Sequence, residues 1–164
     1  MSKITKNNYV PCIKVDGDYT PIDKSTIFEL TAGEQENDYD YICYENPVTE
    51  VDANKPELPS EIVLDTTNPI YNYVMGKFKA LPVGSDCLED FLMCFPDETD
   101  GKFKSGADAW SCQVLLSEKT LNTPDGKVTF SLKAYGDIDH GTYSVTESQG
   151  VKTITYTPSN SSQS

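Results

Sequence analysis

Apolar and polar residues alternate with period two along most of this chain, and aromatic and β-branched residues carry the apolar positions. That pattern predicts mainly antiparallel β-structure. Residues 9–15 and 19–22 flank Asp16-Gly17-Asp18, where a glycine that tolerates positive φ suits a hairpin turn. Residues 25–32 read as a further strand ended by Gly33. Residues 38–44 read as another, with Tyr39, Tyr41 and Cys43 on one face, and residues 60–64 as a short one.

One helix interrupts the strands. Asn68 is placed to cap free amide groups, and Pro69 suits the first helical position because its missing N–H is no loss there. Ile70, Tyr73, Val74, Phe78 and Leu81 then recur at helical spacing, and Pro82-Val83-Gly84 ends the run. The stripe predicts packing on a sheet, and Gly76 in mid-helix suggests a close helix-to-sheet approach.

Beyond the helix, residues 87–95 read as a buried strand and residues 97–101 as a turn. Trp110, Cys112, Val114 and Leu116 form one face of the next strand, opposite Ser111, Gln113 and Ser117. After Pro124-Asp125-Gly126 the alternation resumes in Val128, Phe130, Leu132 and Ala134. Residues 137–141 read as a turn, and residues 141–146 and 151–157 as a closing hairpin around Ser148-Gln149-Gly150. Strands, one helix, then strands argue for an antiparallel β-sandwich or barrel with one flanking α-helix. A single domain over residues 1–158, followed by a disordered polar tail at 159–164, accommodates everything.

The segment that fits least is 45–59, an extended polar loop with Pro47, Pro56 and Pro59 and no hydrophobic period, longer than ordinary connections. Laid across a neighbouring copy, its Val48, Val51 and Leu58 would dock while its backbone found hydrogen bonds. Assembly is therefore the first functional expectation.

Charge sharpens this. The 164 residues carry 26 acidic against 13 basic side chains, a formal net charge of −13. Attraction to phosphate backbones is the least expected electrostatic behaviour. The five cysteines, Cys12, Cys43, Cys87, Cys94 and Cys112, are odd in number and mostly lie in apolar or alternating runs, which suits reduced thiols. Cys87 and Cys94 are near enough in sequence to bridge, though nothing requires it. No apolar stretch of signal-peptide or membrane-span length appears, so neither secretion by the usual route nor a membrane partner is expected.

Catalytic chemistry is sparse. The single histidine, His140, falls in the expected turn and reads as solvated; Asp137, Asp139 and His140 are too ordinary a group for a metal site. The acidic turns at 16–18 and 97–101 lack calcium-loop spacing, and no glycine cluster cradles phosphate before the helix. No catalytic residue, metal or cofactor is assigned. Tyr39, Tyr41 and Tyr44 suit cross-strand pairs or subunit contacts more than stacking platforms.

Three pieces, in this order, resemble the major tail (tail tube) proteins of long-tailed phages and prophages of Gram-positive bacteria. They are the opening SKITKNNYV, the segment DYDYICYENPVTEVDANKPELP, and NPIYNYVMGKFKALPVGSD leading into an apolar strand. The family pattern of a DYI run, an ENPTTEL-like stretch and a K-P-ELP-like exit is similar to Asp40-Tyr41-Ile42, Glu45-Asn46-Pro47-Val48-Thr49-Glu50 and Lys55-Pro56-Glu57-Leu58-Pro59. Its helix aromatics and following break match Tyr71, Tyr73 and residues 81–86, and GDIDHGTYSV resembles its closing hairpin. The cysteines and serine-rich end depart from the pattern.

The resemblance implies a non-enzymatic virion protein, made in the host bacterial cytoplasm, that joins as hexameric rings and stacks into a tail tube. It implies a tape-measure protein and tail terminator and initiator proteins as partners, with genomic DNA passing through the channel without specific binding. Tyr44, Glu45, Asn46, Pro47, Val48, Thr49, Glu50, Val51, Lys55, Pro56 and Leu58 are then the expected subunit contacts. The alternative is a non-catalytic β-sandwich module of a phage or bacterial surface apparatus that binds carbohydrate or protein through its tyrosines. Deleting Glu45 to Leu58 is expected to leave a folded monomer that forms no tubes by negative-stain microscopy.

Overall fold

The computed structural model describes residues 8–22, 25, 29–43 and 45–158. Strands β1 (Val10–Val15) and β2 (Asp18–Pro21) form the first hairpin, closed by Asp16 and Gly17 at φ 52° and 90°. Both central residues of such a two-residue turn need positive φ, which is why glycine stands there. Among the described residues, β3 (Glu34–Tyr39) and β4 (Val48–Asn54) pair only with each other. β5 (Glu57–Val63), helix α1 (Pro69–Ala80), β6 (Leu88–Cys94), β7 (Asp108–Asn122), β8 (Lys127–Ser148) and β9 (Val151–Pro158) complete the chain. The main sheet runs β2-β1-β6-β7-β8-β5, all antiparallel, with β9 on the far half of β8.

Three expected elements differ. The turn at 137–141 is instead the middle of β8. Its pairing passes from Gln113↔Tyr135 to Ser111↔Asp139 and so leaves extra β8 residues around Gly136, at φ 77°. Such a bulge bends a strand without ending it, and the polar residues of the bend imitate a turn in the sequence. Gly141 lies where β8 meets β9, and a Cβ there would sit 2.3 Å from the Thr157 carbonyl oxygen. The strand expected at 25–32 is present as two bridges, Ser25↔Ile62 and Thr31↔Glu57, while residues 26–28 lie outside the described residues, as does the tail at 159–164. The strand expected at 38–44 starts and ends earlier, as β3.

Two cores use opposite faces of β1 and β6. On one face Ile13, Phe91 and Met93 meet Val114, Leu116, Val128, Phe130 and Leu132, with Leu58 and Ile62 of β5. On the other, Cys12, Leu92 and Cys94 meet Ala109, Tyr143 of β8 and Ile154 of β9. Period-two alternation sends neighbouring side chains to opposite faces, so a continuous apolar run such as Phe91-Leu92-Met93-Cys94 marks a strand covered on both sides. The result is a β-sandwich with a flanking helix. The Tyr143 hydroxyl donates to the Phe95 carbonyl at 2.9 Å and accepts from Lys104 N at 3.2 Å. Burial pushes its phenol up to about 12. Cys87 and Cys94 are separate thiols: Cys94 is buried in the second core, and the Cys87 thiol donates to the Pro82 carbonyl at 3.2 Å.

The helix begins as the sequence predicts. Asn68 accepts from Ile70 N at 3.0 Å, and Pro69 opens the first turn. Ile70 and Val74 enter the first core, and Tyr73 donates its hydroxyl to Glu89, a carboxylate only 5% exposed that also lies 3.3 Å from the Lys77 ammonium. Desolvation first, and then the bond to Glu89, push the Tyr73 phenol up. Two details of the predicted stripe fail. Among the described residues nothing lies within 4 Å of a Cβ added at Gly76, so no close approach among them explains it, and Leu81 is a left-handed C-cap with 76% of its surface exposed.

Asn68→Ala is therefore expected to lower stability by ~1–2 kcal/mol through loss of a buried cap. Gly76→Ala should raise it by ~0.5–1 kcal/mol, because a solvent-facing helical glycine costs conformational entropy and gains no contact. Urea midpoints followed by circular dichroism read both. A loss with Gly76→Ala would mean that this face of the helix is covered.

Candidate functional site: an acidic hairpin arm

Residues 34–54 contain Glu34, Glu36, Asp38, Asp40, Glu45, Glu50 and Asp52 and no lysine or arginine. Nearly every residue of β3 and β4 is exposed on both faces. A hairpin with no apolar face has little to define its register, so side-chain hydrogen bonds must do it. The register shifts between Gln35↔Ala53 and Glu36↔Val51, which leaves Asp52 as an extra residue in β4. That carboxylate accepts from Asn37 Nδ2 at 2.6 Å and from the Tyr39 hydroxyl. Across the strands, Thr49 Oγ1 donates to Asp38 at 2.6 Å and the Tyr41 hydroxyl donates to Glu50 at 3.1 Å. The rings of Tyr39 and Tyr41 stack at 5.7 Å.

The bond to Asp52 pushes the Tyr39 phenol up to about 12, and the same bond, with that from Asn37, holds Asp52 below the usual carboxylate range. Tyr41 is raised by desolvation and by its bond to Glu50.

The base of the arm is tied to the sandwich. Thr31 and Glu57 exchange backbone bonds of 3.0 and 3.1 Å, Lys55 N donates to the Gly33 carbonyl at 3.0 Å, and Ala134 N donates to the Pro56 carbonyl at 2.8 Å. Gly33, at φ 60°, has the Lys55 oxygen 1.9 Å from where a Cβ would stand, so no larger residue fits that closure.

The residues expected to contact a neighbour divide in two. Glu45, Asn46, Pro47, Thr49, Glu50, Val51 and Lys55 are exposed and Val48 is half-buried, all on or beside the arm. Pro56 and Leu58 are instead buried, Leu58 at 2% exposure in the subunit's own first core. Tyr44 lies outside the described residues. The supposed loop at 45–59 is thus the return strand of a hairpin followed by the start of a core strand. Alternating Leu58, Ser60 and Ile62 was its legible signal, masked by the prolines. Removing residues through Leu58 would take core with it; the separable unit is 34–54. Glu34, Glu36 and Asp52 escaped the sequence reading, although the absence of any basic residue over 34–54 marks the arm as a unit.

Among the described residues, one open cleft of about 520 Å³ is lined by Tyr9, Phe95, Trp110 and His140, with Asp97, Glu98 and Asp108 among its other residues. His140 is on β8 opposite Trp110, its ring 6.3 Å away, and not in a turn. Asp139 accepts from the Tyr156 hydroxyl, and strand alternation turns His140 to the other face. Tyr39 and Tyr41 belong to the arm and do not line this cleft. No described helix is long and apolar enough to cross a membrane.

A pH dependence follows from the Tyr39–Asp52 bond. Asp52 is lowered, so its share in arm order is present above the ordinary carboxylate value of about 4 and is lost as pH falls through its own lower value. Tyr39 is raised, so its share is present below the ordinary phenol value of about 10 and is lost as pH climbs through about 12. Asp52→Asn is expected to return one tyrosine titration toward the ordinary value in tyrosinate difference spectra, and that transition should be absent from Tyr39→Phe.

No protein-family profile matches the chain, and no curated protein matches it significantly. Solved structures do. A chain of the tail of an empty GTA particle with C6 symmetry superposes with a TM-score of 0.57 at 8% identity, over 83% of this chain and 97% of that one. A chain of the anti-feeding prophage cap, the AFP tube terminating cap, superposes with a TM-score of 0.53 at 12% identity, over 87% and 93% of the two chains. At such identities what is shared is the fold, and the β-sandwich with its flanking helix is similar to components of phage-like tails.

Proposed function

We propose that this protein is a structural tail component, a subunit that polymerises as stacked hexameric rings into the tail tube of a long-tailed phage or prophage of a Gram-positive bacterium. The observation that carries the reading is the arm, a polar hairpin with two exposed edges that leaves the sandwich and buries almost nothing of its own. A lone two-stranded ribbon is marginal in water, and an exposed strand edge is a template for pairing with another chain. An adjoining subunit supplies both what the ribbon lacks and what its edges offer. The shared fold with a chain of a C6-symmetric tail supports the same reading.

On this reading function is geometric. One surface of each subunit meets a different surface of the next, so contacts propagate around a ring and along a tube. The tube encloses the tape-measure protein and then conducts genomic DNA, and terminator and initiator proteins set its ends. The net charge of −13 repels the passing phosphate backbone. No catalysis is involved, and the particle is assembled in the host cytoplasm.

A second reading draws on the aromatic cleft of Tyr9, Phe95, Trp110 and His140, whose carboxylate neighbours would accept hydrogen bonds from a sugar or a cationic peptide. It makes the protein a binding module of a surface apparatus.

Replacing residues 34–54 by a Gly-Ser turn between Gly33 and Lys55 tests the first reading. The variant is expected to keep its circular dichroism spectrum and cooperative melting yet form no rings or tubes in negative-stain micrographs, at concentrations where the parent forms them. Tubes from the armless variant would refute the arm's role. A parent that is monomeric at every concentration and binds oligosaccharide, with binding lost on Trp110→Ala, would favour the second.

A further inference from the structure

We infer that the arm of one copy docks on the C-terminal end of α1 of a second copy, with Ile42 against Leu81 and Val83 and the arm's carboxylates toward Lys79. The inference rests on the arm being an assembly element and names the surface that receives it.

Large exposed apolar side chains among the described residues fall into few places. Tyr41, Ile42 and Val51 are on the arm, with Ile42 wholly exposed at 101%. Val63 and Tyr135 stand singly on β5 and β8. Leu81 and Val83, 76% and 78% exposed, are separated only by Pro82. Isolated apolar residues on a surface are ordinary, whereas two this exposed within three residues are a candidate contact. With exposures this high on both sides, neither surface covers the other within one subunit.

Leu81 adds an independent observation. It caps α1 at φ 49°, ψ 57°, with its N–H donated to the Lys77 carbonyl. Where a helix ends in this left-handed conformation the residue is usually glycine, because a Cβ there is strained. A leucine at such a site gains nothing from its own core and suits neither backbone nor solvent. A contact outside the subunit accounts for it.

Charge fits as well. The last turn of α1 carries Lys77 and Lys79, while the arm carries acids alone. Lys77 is held by Glu89 at 3.3 Å and by the Asp86 carbonyl at 3.4 Å, which stiffens this end of the helix; Lys79 is exposed and available to Asp40 or Glu45. The exposed Asp86 also lies near this helix end, so the charge pairing offered to the arm is the local one with Lys79, and such pairing sets register. The arm and the helix end are different surfaces, so their contact is head-to-tail and propagates, where a self-complementary patch would stop at a dimer.

The native Cys43, exposed beside Ile42, makes the contact testable in the full chain. Val83→Cys is made with Cys87→Ser, the serine keeping a donor for the Pro82 carbonyl. Under mild oxidation this variant is expected to give a ladder of disulfide-linked multimers on non-reducing gels, absent when Cys43→Ser is added and absent from Val63→Cys in the same background. In parallel, Leu81→Gly is expected to raise thermal stability by relieving strain, yet to raise the concentration needed for assembly about tenfold or more. Opposite movements of stability and assembly are not what a merely structural residue produces. Tubes that form without the Cys43-dependent ladder, and with Leu81→Gly assembling like the parent, overturn the docking site and leave the arm's role intact. An armless variant that assembles like the parent, or a parent monomeric at every concentration, overturns both.

Discussion

The fold depends on two strands whose adjoining segments have no solvent face. Cys12 and Ile13 of β1 and Phe91, Leu92, Met93 and Cys94 of β6 are each at most 4% exposed, and consecutive side chains enter different cores. A strand in this position needs a layer on each side. One is supplied by α1, β5 and the inner halves of β7 and β8, the other by the far half of β8 with β9. β8 serves both because the bulge at Gly136 redirects it while its pairing with β7 resumes on either side. A turn there would separate the two layers and leave the second face of β6 bare.

That constraint explains why the arm is polar. Once β1, β5, β6, β7 and β8 have satisfied the two cores, β3 and β4 have nothing left to cover, and a ribbon exposed on both faces must be hydrophilic to stay soluble. Its seven-acid, base-free composition discourages the edges of two free arms from pairing with one another through like-charge repulsion. The same carboxylates are internally engaged where they fix the hairpin, at Asp38, Glu50 and Asp52, and outward elsewhere. Stability and interaction are thus divided between residues a few positions apart.

The helix shows a similar division. Its buried side, Ile70 and Val74 with Tyr73 bonded to Glu89, fixes its position over the first core. Burying Glu89 costs solvation that the Tyr73 hydroxyl and the Lys77 ammonium offset, and a carboxylate so placed holds the helix at one rotation about its axis. The far end therefore presents Leu81 and Val83 in a set direction, where a frayed terminus would not.

Much of this was legible along the chain. Period-two alternation found β1, β2, β7, β9 and both ends of β8, an apolar run found β6, and the Asn68-Pro69 cap placed α1, because these signals are local: a turn, a cap or an alternating face depends on neighbours within a few residues. The polar stretch after Tyr39 was also recognisable as something other than core. What the chain alone did not show is where local polarity misleads. Asp139 lies in a continuous strand because its pairing with Ser111 of β7, remote in sequence, carries the ladder past the bulge that holds Asp137. Pro56 and Leu58 are core because β8 pairs beside them, and Gly76 faces solvent because the sheet lies under the helix's other side. The sequence by itself determined the types of element, their order and the acidity of the arm; only the tertiary structure decided which polar segments are paired, since a backbone hydrogen bond between strands is a contact with no signature in either strand alone.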